Sequence, residues 1–348
     1  MQIATMLEYA GGFEAQVDRI VELEKAGLGH VWVAEAYGFD AVSLLGFVAA
    51  RTKTVNIGSG ILPVFTRTPT LLAMTAAGLD VLSHGRFHLG LGASGPQVIE
   101  GFHGVTYDAP LGRTREVISI CRKVWAREEP LTHDGRYYHV PLPEGQGSGL
   151  GKPLKIIAKP ERPEIPVWVA ALGDKNVQMA VETANGWLPL FFVPTKAKET
   201  WGDTIKAGMA KRDAALGSLQ ISAGGLLAIG EGDDYRNVRH EARANWALYM
   251  GGMGARGKNF YNDLLKRYGY EREAEQIQDL FLTGKRAEAA ALVPDELLDA
   301  TNLCGPIGLI KERIAMYKEA GVTHLQVTPK PVGDQTATDL IATLADLL

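Results

Sequence analysis

The stretch Gly58-Ser-Gly-Ile-Leu-Pro-Val-Phe-Thr-Arg-Thr-Pro69 follows a short apolar run and precedes a helical pattern. Its two glycines admit backbone conformations that other residues resist, and its prolines fix φ and remove hydrogen-bond donors. The strand that ends here is therefore expected to give way to an irregular loop whose backbone can approach a flat ligand. Such loops, at the carboxyl ends of parallel strands, carry the chemistry of α/β barrels. An ordinary strand-to-helix turn is the alternative.

Apolar runs of strand length alternate with helical patterns along the whole chain. The predicted strands are residues 3–7, 31–35, 54–61, 87–93, 167–171, 187–192, 221–229 and 324–328. Helical patterns separate them, as at residues 13–26, 42–51, 71–82 and 117–125. Strands that are apolar on both faces and alternate with helices indicate a parallel sheet. Eight of them predict an α/β fold, a (β/α)8 TIM barrel. A doubly wound open sheet is the rival architecture.

Two stretches interrupt this alternation, residues 131–165 and about 250–303. The first contains the hairpin turn signal Asp134-Gly135 and then a structure-poor run, and the second is mostly helical. Insertions after barrel strands lie on the catalytic face, so both stretches are predicted to be lids or pocket walls at the C-terminal face. No linker stands out, and residues 1–348 are predicted to form a single domain.

The composition narrows the classes of function. The chain has 348 residues, 46% apolar content and a formal net charge of −4. No basic cluster is present, which argues against a nucleic-acid partner. No run of about 18 apolar residues predicts a membrane span, and no leader precedes the first strand, so a cytoplasmic protein is expected. Cys121 and Cys304 lack metal or redox spacing, and no metal site is expected.

A small-residue loop follows the fourth predicted strand. It consists of Gly92, Ala93, Ser94 and Gly95, and Pro96 suits the first position of the next helix. Backbone N–H groups at such a helix start favour phosphate. The loop has neither the Walker pattern nor the full dinucleotide spacing. A tight turn without a ligand is the alternative.

A similar junction follows the fifth predicted strand. Gly173 frees the loop, Asp174 is a candidate N-cap, and Lys175 adds a cation beside the first N–H groups of the helix. Two helix N-termini can therefore grip one phosphate from two sides. The alternative is an ordinary capped helix with a solvated lysine.

Four segments together resemble a known family. They are Val31-Trp-Val-Ala-Glu-Ala-Tyr37, the stretch 58–69, Ser83-His-Gly-Arg-Phe87 with Gly90-Leu-Gly-Ala-Ser-Gly95, and Ala184-Asn-Gly-Trp-Leu-Pro189. The set resembles the luciferase-like (LLM class) flavin and deazaflavin oxidoreductases. It is most similar to their coenzyme F420-dependent branch, which includes methylenetetrahydromethanopterin reductase and F420-dependent glucose-6-phosphate dehydrogenase. The resemblance covers nearly the whole chain.

This resemblance implies a barrel fold, a homodimer and coenzyme F420 as cofactor. It also implies a non-prolyl cis peptide in the third-strand bulge, here Gly60–Ile61, that backs the deazaflavin ring. The phosphate would be held by the two small-residue loops, and the polyglutamate tail by cations such as Lys159, Arg162 or Lys175. The implied cofactor-binding residues are Glu35, Gly60, Ile61, Ala93, Ser94, Gly95, Gly173, Asp174, Lys175 and Asn176.

The chain also departs from the dehydrogenases of that family. They carry Asp-His after the second strand, where this chain has Glu35-Ala36, and alanine cannot transfer a proton. Their acidic residue in the fourth-strand loop is replaced by Pro96. The differences favour reduction of a C=C, C=N or C=O bond in a small organic substrate over oxidation of a sugar.

Reduction of a polar double bond needs an acid near the atom that does not receive the hydride. The catalytic candidates are Glu35, Tyr37 and His103, and Glu100 would share a helical face with His103. The alternatives are a salt bridge or helix cap for Glu35, packing for Tyr37, and a surface ion pair for the other two. Phe39 and Phe65 follow strands and can line a pocket that suits an apolar or aromatic substrate.

Three other functions remain open on the sequence. The first is an FMN-dependent monooxygenase of the same superfamily, which oxygen consumption and cofactor preference would distinguish. The second is a non-catalytic deazaflavin-binding protein, which would not discharge the reduced cofactor. The third is a metal-dependent barrel hydrolase, which would contain stoichiometric metal.

Overall fold

The structure is a computed structural model that describes residues 1–7 and 11–348. Its strands, numbered in chain order, are β1 Gln2–Leu7, β2 His30–Val33, β3 Asn56–Ser59, β4 Leu62–Pro63, β5 Phe87–Gly92, β6 His133–Asp134, β7 His139–Val140, β8 Val167–Ala170, β9 Gly186–Leu188, β10 Gln220–Ala223, β11 Leu226–Ile229, β12 Leu303–Gly305, β13 His324–Gln326 and β14 Thr328–Pro329.

The α-helices are numbered in the same way. They are α1 Phe13–Lys25, α2 Ala41–Arg51, α3 Pro69–Leu82, α4 Pro96–Gly101, α5 Pro110–Ala126, α6 Asp174–Thr183, α7 Ala197–Met209, α8 Asp233–Asn237, α9 Ala242–Ala247, α10 Phe260–Arg267, α11 Glu271–Leu282, α12 Arg286–Ala291, α13 Asp295–Thr301, α14 Ile307–Glu319 and α15 Ala337–Leu347. A π-helical turn, Leu248–Gly252, follows α9.

Eight parallel strands close into a barrel. Around the barrel the order is β1, β2, β3, β5, β8, β9, β10 and β13, and β13 pairs with β1 to complete the circle. The TIM barrel predicted from the alternating pattern is therefore confirmed, and the open sheet is wrong. No helix among the described residues is long and apolar enough to span a membrane.

Large rings fill the lumen because glycine stands opposite them. A Cβ atom on Gly58 would lie 2.4 Å from the ring of Trp32, and one on Gly186 would lie 2.2 Å from the ring of Trp168. Both tryptophans are fully buried. The two indoles meet edge to face, with centroids 5.0 Å apart. The amino-terminal part of the lumen is thus packed solid, which leaves the chemistry to the carboxyl end.

Arg86 shows that part of the Ser83–Phe87 motif is structural. Its guanidinium donates to the carbonyl oxygens of Ala49, Thr52 and Val55, at the end of α2 and beyond, and its Nε donates to Ser83 O at the end of α3. The last carbonyls of a helix have no intrahelical partner. The buried Arg86 side chain donates to carbonyl groups at the ends of both α2 and α3, and it thereby joins the two helices near the start of β5.

The segment predicted as one strand at 221–229 is two strands in two sheets. β10 belongs to the barrel, whereas β11 joins β12 and β14 in a second parallel sheet. The chain crosses between them at Gly224 and Gly225, where added Cβ atoms would lie 2.0 Å from Gln326 O and 2.1 Å from Thr301 O. β12 lies at the end of a region that was predicted to be helical.

The predicted hairpin at 134–135 is present, because β6 and β7 pair antiparallel. The stretch 131–165 as a whole is not where it was expected. It follows α5 rather than a barrel strand, and Arg162 near its end donates to Asp80 and to Phe87 O, at the amino end of β5. The expectation that this stretch follows a strand at the C-terminal face was wrong.

The second insertion does lie at the carboxyl end of the barrel. Helices α10 to α13 stand between β11 and β12. The Tyr268 hydroxyl donates to Phe191 O at 2.9 Å, just beyond β9. The end of α10 thereby closes on the loops that follow the barrel strands, as expected for a pocket wall.

Candidate active site

The most distinctive feature of the carboxyl end is a bulge between β3 and β4. β3 ends at Ser59, the Gly60–Ile61 peptide bond is cis, and β4 then pairs with the end of β5. The Ser59 hydroxyl donates to Gly90 O at 2.8 Å and accepts from Gly90 N at 2.9 Å, which fills the gap that the bulge leaves in the ladder. The cis bond implied by the family resemblance is confirmed at the expected position.

The bulge is packed tightly from below and from the side. A Cβ atom on Gly60 would lie 3.2 Å from both Met6 and Trp32, and one on Gly92 would lie 2.9 Å from Ile61. Real Cβ contacts this short are rare, so glycine is needed at 92 to let Ile61 take its place. The result is a fixed platform of backbone and one aliphatic side chain above the filled lumen.

Glu35 lies just after β2. It forms both a salt bridge and a helix cap, the two structural roles that the sequence left open for it. Its carboxylate accepts from the two terminal nitrogens of Arg67 at 2.5 and 2.8 Å, and from the backbone N–H of Ala41 at 2.9 Å, at the start of α2. The Glu35 side chain is 8% exposed and that of Arg67 is 15% exposed. The hydrogen bond that Arg67 donates to Glu35 raises the pKa of Arg67. Arg67 comes from the stretch that follows the bulge, so the pair ties the bulge to β2.

The other catalytic candidates lie on the rim. Tyr37 is 62% exposed and packs loosely on Phe102, with centroids 6.4 Å apart. His103 is exposed and its ring meets Phe102 edge on. Glu100 accepts from the backbone N–H of Tyr107 at 3.1 Å rather than pairing with His103. Phe39 is also largely exposed, against Phe13.

The first small-residue loop follows β5 but is one residue shorter than predicted, because Gly92 is the last residue of the strand. Ser94 adopts a left-handed backbone conformation with φ 60°, and Gly95 is the N-cap of α4 without a side-chain cap. The Tyr107 hydroxyl donates to Ser94 O at 3.3 Å. Burial raises the pKa of Tyr107. The loop is therefore held in place by a tyrosine.

The second loop corrects one detail of the prediction. The N-cap of α6 is Gly173, which offers no side-chain acceptor, and Asp174 is the first residue of the helix. The Asp174 carboxylate is turned instead to Arg267, whose Nη2 lies 2.6 Å away. Lys175 is exposed and Asn176 is half-buried. The first turn of α6 thus lacks a side-chain cap among the described residues, which suits an anion.

Arg267 was not recognised from the sequence. It lies at the end of α10 and donates to Asp174, to Thr200 O at 2.6 Å and to Leu172 O at 3.3 Å. Its guanidinium also lies 5.8 Å from the ring centroid of Trp201. The insertion is in this way fastened to the second loop. A single arginine 93 positions away carries no local signal, so only the fold reveals the contact.

Comparison with known proteins decides the family. The model of the family described as luciferase-like monooxygenase matches residues 1–324.

The chain belongs to the luciferase-like monooxygenase family.

Several relatives share most of their length with this luciferase-like protein. It is 39% identical over 330 residues, covering 94% of this chain and 95% of the relative, to a Mycobacterium tuberculosis protein provisionally named a coenzyme F420-dependent oxidoreductase. It is 28% identical over 317 residues, covering 89% and 87% of the two chains, to 5,10-methylenetetrahydromethanopterin reductase of Archaeoglobus fulgidus. The structure of the coenzyme F420-dependent tetrahydromethanopterin reductase from Methanopyrus kandleri has the same fold, with a TM-score of 0.76, 21% identity, and 98% and 97% of the chains covered.

Three histidines lie inside the barrel of this luciferase-like protein, away from its mouth. His30, His88 and His324 form an edge-to-face cluster, with centroids 4.7 and 5.4 Å from His30. Burial lowers the pKa of His30 well below its usual value, that of His88 to about 3 and that of His324 to about 4. The three rings are neutral, and the Trp168 indole donates to His88 at 2.9 Å. These histidines are part of the core.

The expectation for the cofactor tail can be judged at Arg162. Arg162, considered for the cofactor tail, is bound to buried Asp80 at the amino end of the barrel, so that assignment is wrong. Lys159 lies three residues earlier and is exposed. The described residues contain no group of three or more His, Cys, Asp or Glu side chains that could hold a metal ion.

Proposed function

We propose that this protein transfers a hydride between coenzyme F420 and a small organic substrate, in the direction of C=C, C=N or C=O reduction. The observation that carries the proposal is the Gly60–Ile61 bulge, a rigid platform at the carboxyl end of the barrel against Trp32 and Gly92. A flat heterocycle can rest on such a platform of backbone, because Met6 and Trp32 support Gly60 from the lumen side. When bound, the reduced deazaflavin supplies a hydride, and the protein supplies position and polarisation.

Coenzyme F420 is supported as the cofactor by the relatives and by the donors present. The relatives include proteins whose names carry coenzyme F420 dependence. The uncapped first turn of α6, with Gly173 at its N-cap and Lys175 beside it, fits the cofactor's phosphate. Residues 93–95 face the same opening from β5. The residues that would hold the cofactor are Glu35, Gly60, Ile61, Ala93, Ser94, Gly95, Gly173, Asp174, Lys175 and Asn176.

Reduction is favoured over alcohol oxidation because the residue after Glu35 is an alanine, which cannot act as a base. Oxidation of an alcohol needs a base that takes the hydroxyl proton. Ala36 occupies the position of the family's histidine, and the histidines that the structure places in the lumen are packed in the core. Glu35 itself is bound on both oxygens. We assign it to holding Arg67 and the start of α2 rather than to proton transfer.

Tyr37 and His103 remain candidates on the rim. Both are exposed, so either would act only after a substrate covers it. A proton donor that works at such a position exchanges freely with solvent, and its replacement would alter the pH dependence of turnover. The aromatic neighbour Phe102 places both rings on one side of the mouth.

An FMN-dependent monooxygenase is the second candidate, because the family description itself is that of a monooxygenase. The two candidates differ in the cofactor and in oxygen use. Equilibrium titration with oxidised coenzyme F420 and with FMN, each followed by fluorescence quenching, separates them. Quenching by the deazaflavin at much lower concentration than by FMN supports the proposal. Tight FMN binding without a deazaflavin response, together with oxygen consumption, would replace it.

We further propose a homodimer, which family resemblance implies. An apolar stripe on α3 supports it. Leu71, Met74, Val81 and Leu82 are 46%, 56%, 41% and 62% exposed. Spacings of three, seven and eight residues from Leu71 or Met74 bring these side chains near one face of the helix. Monomeric proteins seldom leave such a contiguous patch in water.

A further inference from the structure

Six aromatic side chains form a band across the carboxyl end of the barrel. None of them lies in a barrel strand: they come from the loops after β4, α4 and β9, and from the segment between β11 and β12. The members of this aromatic band are Phe65, Tyr107, Phe191, Trp246, Tyr249 and Tyr261.

The rings of the aromatic band touch within two groups, and Tyr261 belongs to the second. Phe65 packs on Tyr107, with centroids 5.1 Å apart. Phe191 packs on Trp246 at 4.5 Å and on Tyr249 at 5.1 Å, and Tyr249 meets Tyr261 edge to face at 4.8 Å. Burial raises the pKa of Tyr261, and the neighbouring phenols Tyr249 and Tyr107 raise it further. Tyr261 is therefore a neutral phenol that can donate a hydrogen bond.

The aromatic band is fixed to the loops that surround the proposed cofactor site. The Tyr107 hydroxyl binds Ser94 O, two residues beyond the glycine that packs against Ile61. The Phe191 carbonyl accepts from Tyr268, and Phe191 has φ 57°, which is uncommon for a bulky residue. Unfavourable backbone conformations of this kind gather at ligand-binding positions. Phe65 follows the bulge by four residues, so this end of the band is tied to the platform through the chain.

The arginines near the Phe65 end of the aromatic band are paired with carboxylates, so this end offers no net charge to a ligand. The Arg113 guanidinium lies 5.9 Å from the Phe65 centroid, but both Asp108 oxygens bind it at 3.0 Å. Arg67, after Phe65, is likewise neutralised by Glu35. Flat apolar walls with a few placed donors suit a flat, uncharged ligand. A phosphate or carboxylate group would find both nearby arginines already paired.

From this arrangement we infer that the aromatic band is the binding site of the hydride acceptor, a planar, uncharged enone conjugated to a ring, whose carbonyl oxygen accepts a hydrogen bond from Tyr261. This inference rests on the proposed function and narrows it to one class of substrate. Electron density that moves to the oxygen in the transition state is stabilised by a neutral phenol in a water-poor site.

The reaction balances with the proposed cofactor and one proton. A C–H bond forms at the β-carbon from the hydride, the C=C π bond breaks, and its electron pair moves through the carbonyl to give an enolate oxygen. A proton that enters from water then reaches the α-carbon, and the saturated ketone leaves. The deazaflavin is oxidised by two electrons and the enone is reduced by two.

The test uses the protein loaded with oxidised coenzyme F420, and two probes of one skeleton. trans-4-Phenyl-3-buten-2-one is neutral and trans-cinnamate carries a carboxylate. Binding is followed by quenching of protein fluorescence, and turnover by oxidation of the reduced cofactor. We expect the ketone to bind at least tenfold more tightly than cinnamate and to be reduced. Tyr261→Phe should lower kcat for the ketone tenfold or more, weaken ketone binding, and leave the affinity for coenzyme F420 unchanged.

The matched control is Tyr270→Phe, in the same insertion, whose hydroxyl binds Glu296 outside the aromatic band. It should leave ketone binding and kcat as in the wild type. Equal binding of the two probes, or an unchanged kcat in Tyr261→Phe, would overturn the inference while coenzyme F420 binding keeps the proposed function intact. Absence of coenzyme F420 binding would overturn both.

Discussion

Arg67 donates two parallel hydrogen bonds to Glu35. Among the ion pairs that the described residues form at the barrel mouth, this is the one in which both side chains are most buried. A carboxylate that is 8% exposed depends on its partner, because an unpaired charge in such a place is costly. Arg67→Met should therefore lower the free energy of unfolding by about 3 kcal/mol in urea titration.

The control for this change is Arg51→Met. Arg51 binds Asp18 at 2.6 Å, but the two side chains are 45% and 59% exposed. An exposed pair contributes about 0–1 kcal/mol, so this variant should unfold almost as the wild type does. Equal losses in the two variants would mean that Glu35 does not need its partner.

Gly92→Ala tests the platform. The added Cβ would lie 2.9 Å from Ile61, so Ile61 must move, and the bulge with it. We expect the Kd for coenzyme F420 to rise at least about tenfold, or about 1.4 kcal/mol. Gly46→Ala is the control, since a Cβ there meets nothing within 4 Å in α2 and should add up to about 1 kcal/mol of stability. Unchanged cofactor affinity in Gly92→Ala would remove the platform from the cofactor site.

Arg267→Gln tests the link between the insertion and the second loop. Without the guanidinium, the N-terminus of α6 must be ordered when the cofactor binds, at a cost of about 1 kcal/mol, so the Kd for coenzyme F420 should rise roughly threefold to tenfold. The free energy of unfolding should change little, because Asp174 is 62% exposed. Arg256→Gln, which breaks the exposed pair with Asp279 in the same insertion, should bind the cofactor normally. A similar Kd for both variants and the wild type would show that Arg267 does not order the loop.

The three lumenal histidines predict loss of stability in acid. Burial depresses their pKa values, with His88 near about 3 and His324 near about 4, and Arg162 and the amino terminus act on them in the same direction. Above the unfolded pKa of about 6.5 neither state binds the proton. Below it only the unfolded chain does, so each histidine lowers the free energy of unfolding by about 1.4 kcal/mol per pH unit between about pH 6.5 and its folded pKa.

Urea titrations from pH 7 to pH 4.5 measure this slope. His30→Phe should reduce it by about one proton, since the ring stacks on Trp32 and both its nitrogens are buried without a hydrogen-bond partner among the described residues. His139→Phe, on the partly exposed hairpin outside the cluster, is the control. Identical slopes in His30→Phe and the wild type would place the proton uptake elsewhere.

Light scattering tests the dimer. Met74→Glu places a charge in the apolar stripe of α3 and should shift the protein to monomers at micromolar concentration. Ile157→Glu is the control, because Ile157 is 98% exposed and lies in the 131–165 stretch. A monomeric wild type, or a dimer that survives Met74→Glu, would exclude this face as the interface.

The sequence predicted the barrel well, because its strands are short, apolar and separated by amphipathic helices. The predicted strand boundaries were wrong where a pair of glycines carries the chain from the barrel to the second sheet. Gly224 and Gly225 lie within a run that is apolar on both sides, so the pattern reads as one strand, while the close approach of Gln326 O and Thr301 O is visible only after folding. β12 was missed for another reason, since its three residues carry too little periodicity.

The candidate site divides in a similar way. Local features were predicted: the family resemblance implied the cis bond at Gly60, and neighbouring small residues indicated the loop at 93–95. Contacts over long sequence distances were not: Arg67 meets Glu35 across 32 positions, and Arg267 meets Asp174 across 93. The stretch 131–165 was misplaced because it was assumed to follow a strand. In the structure α5 has already returned the chain to the amino end of the barrel.

Trp32 packs beneath Gly60 and is fully buried. An excited indole there would stand within a few atoms of a deazaflavin on the platform, well inside the range of resonance energy transfer. The protein thus carries an intrinsic optical reporter of its own loading. Its ultraviolet emission should fall as the cofactor arrives and recover as it leaves, which would allow occupancy to be followed in real time without any label.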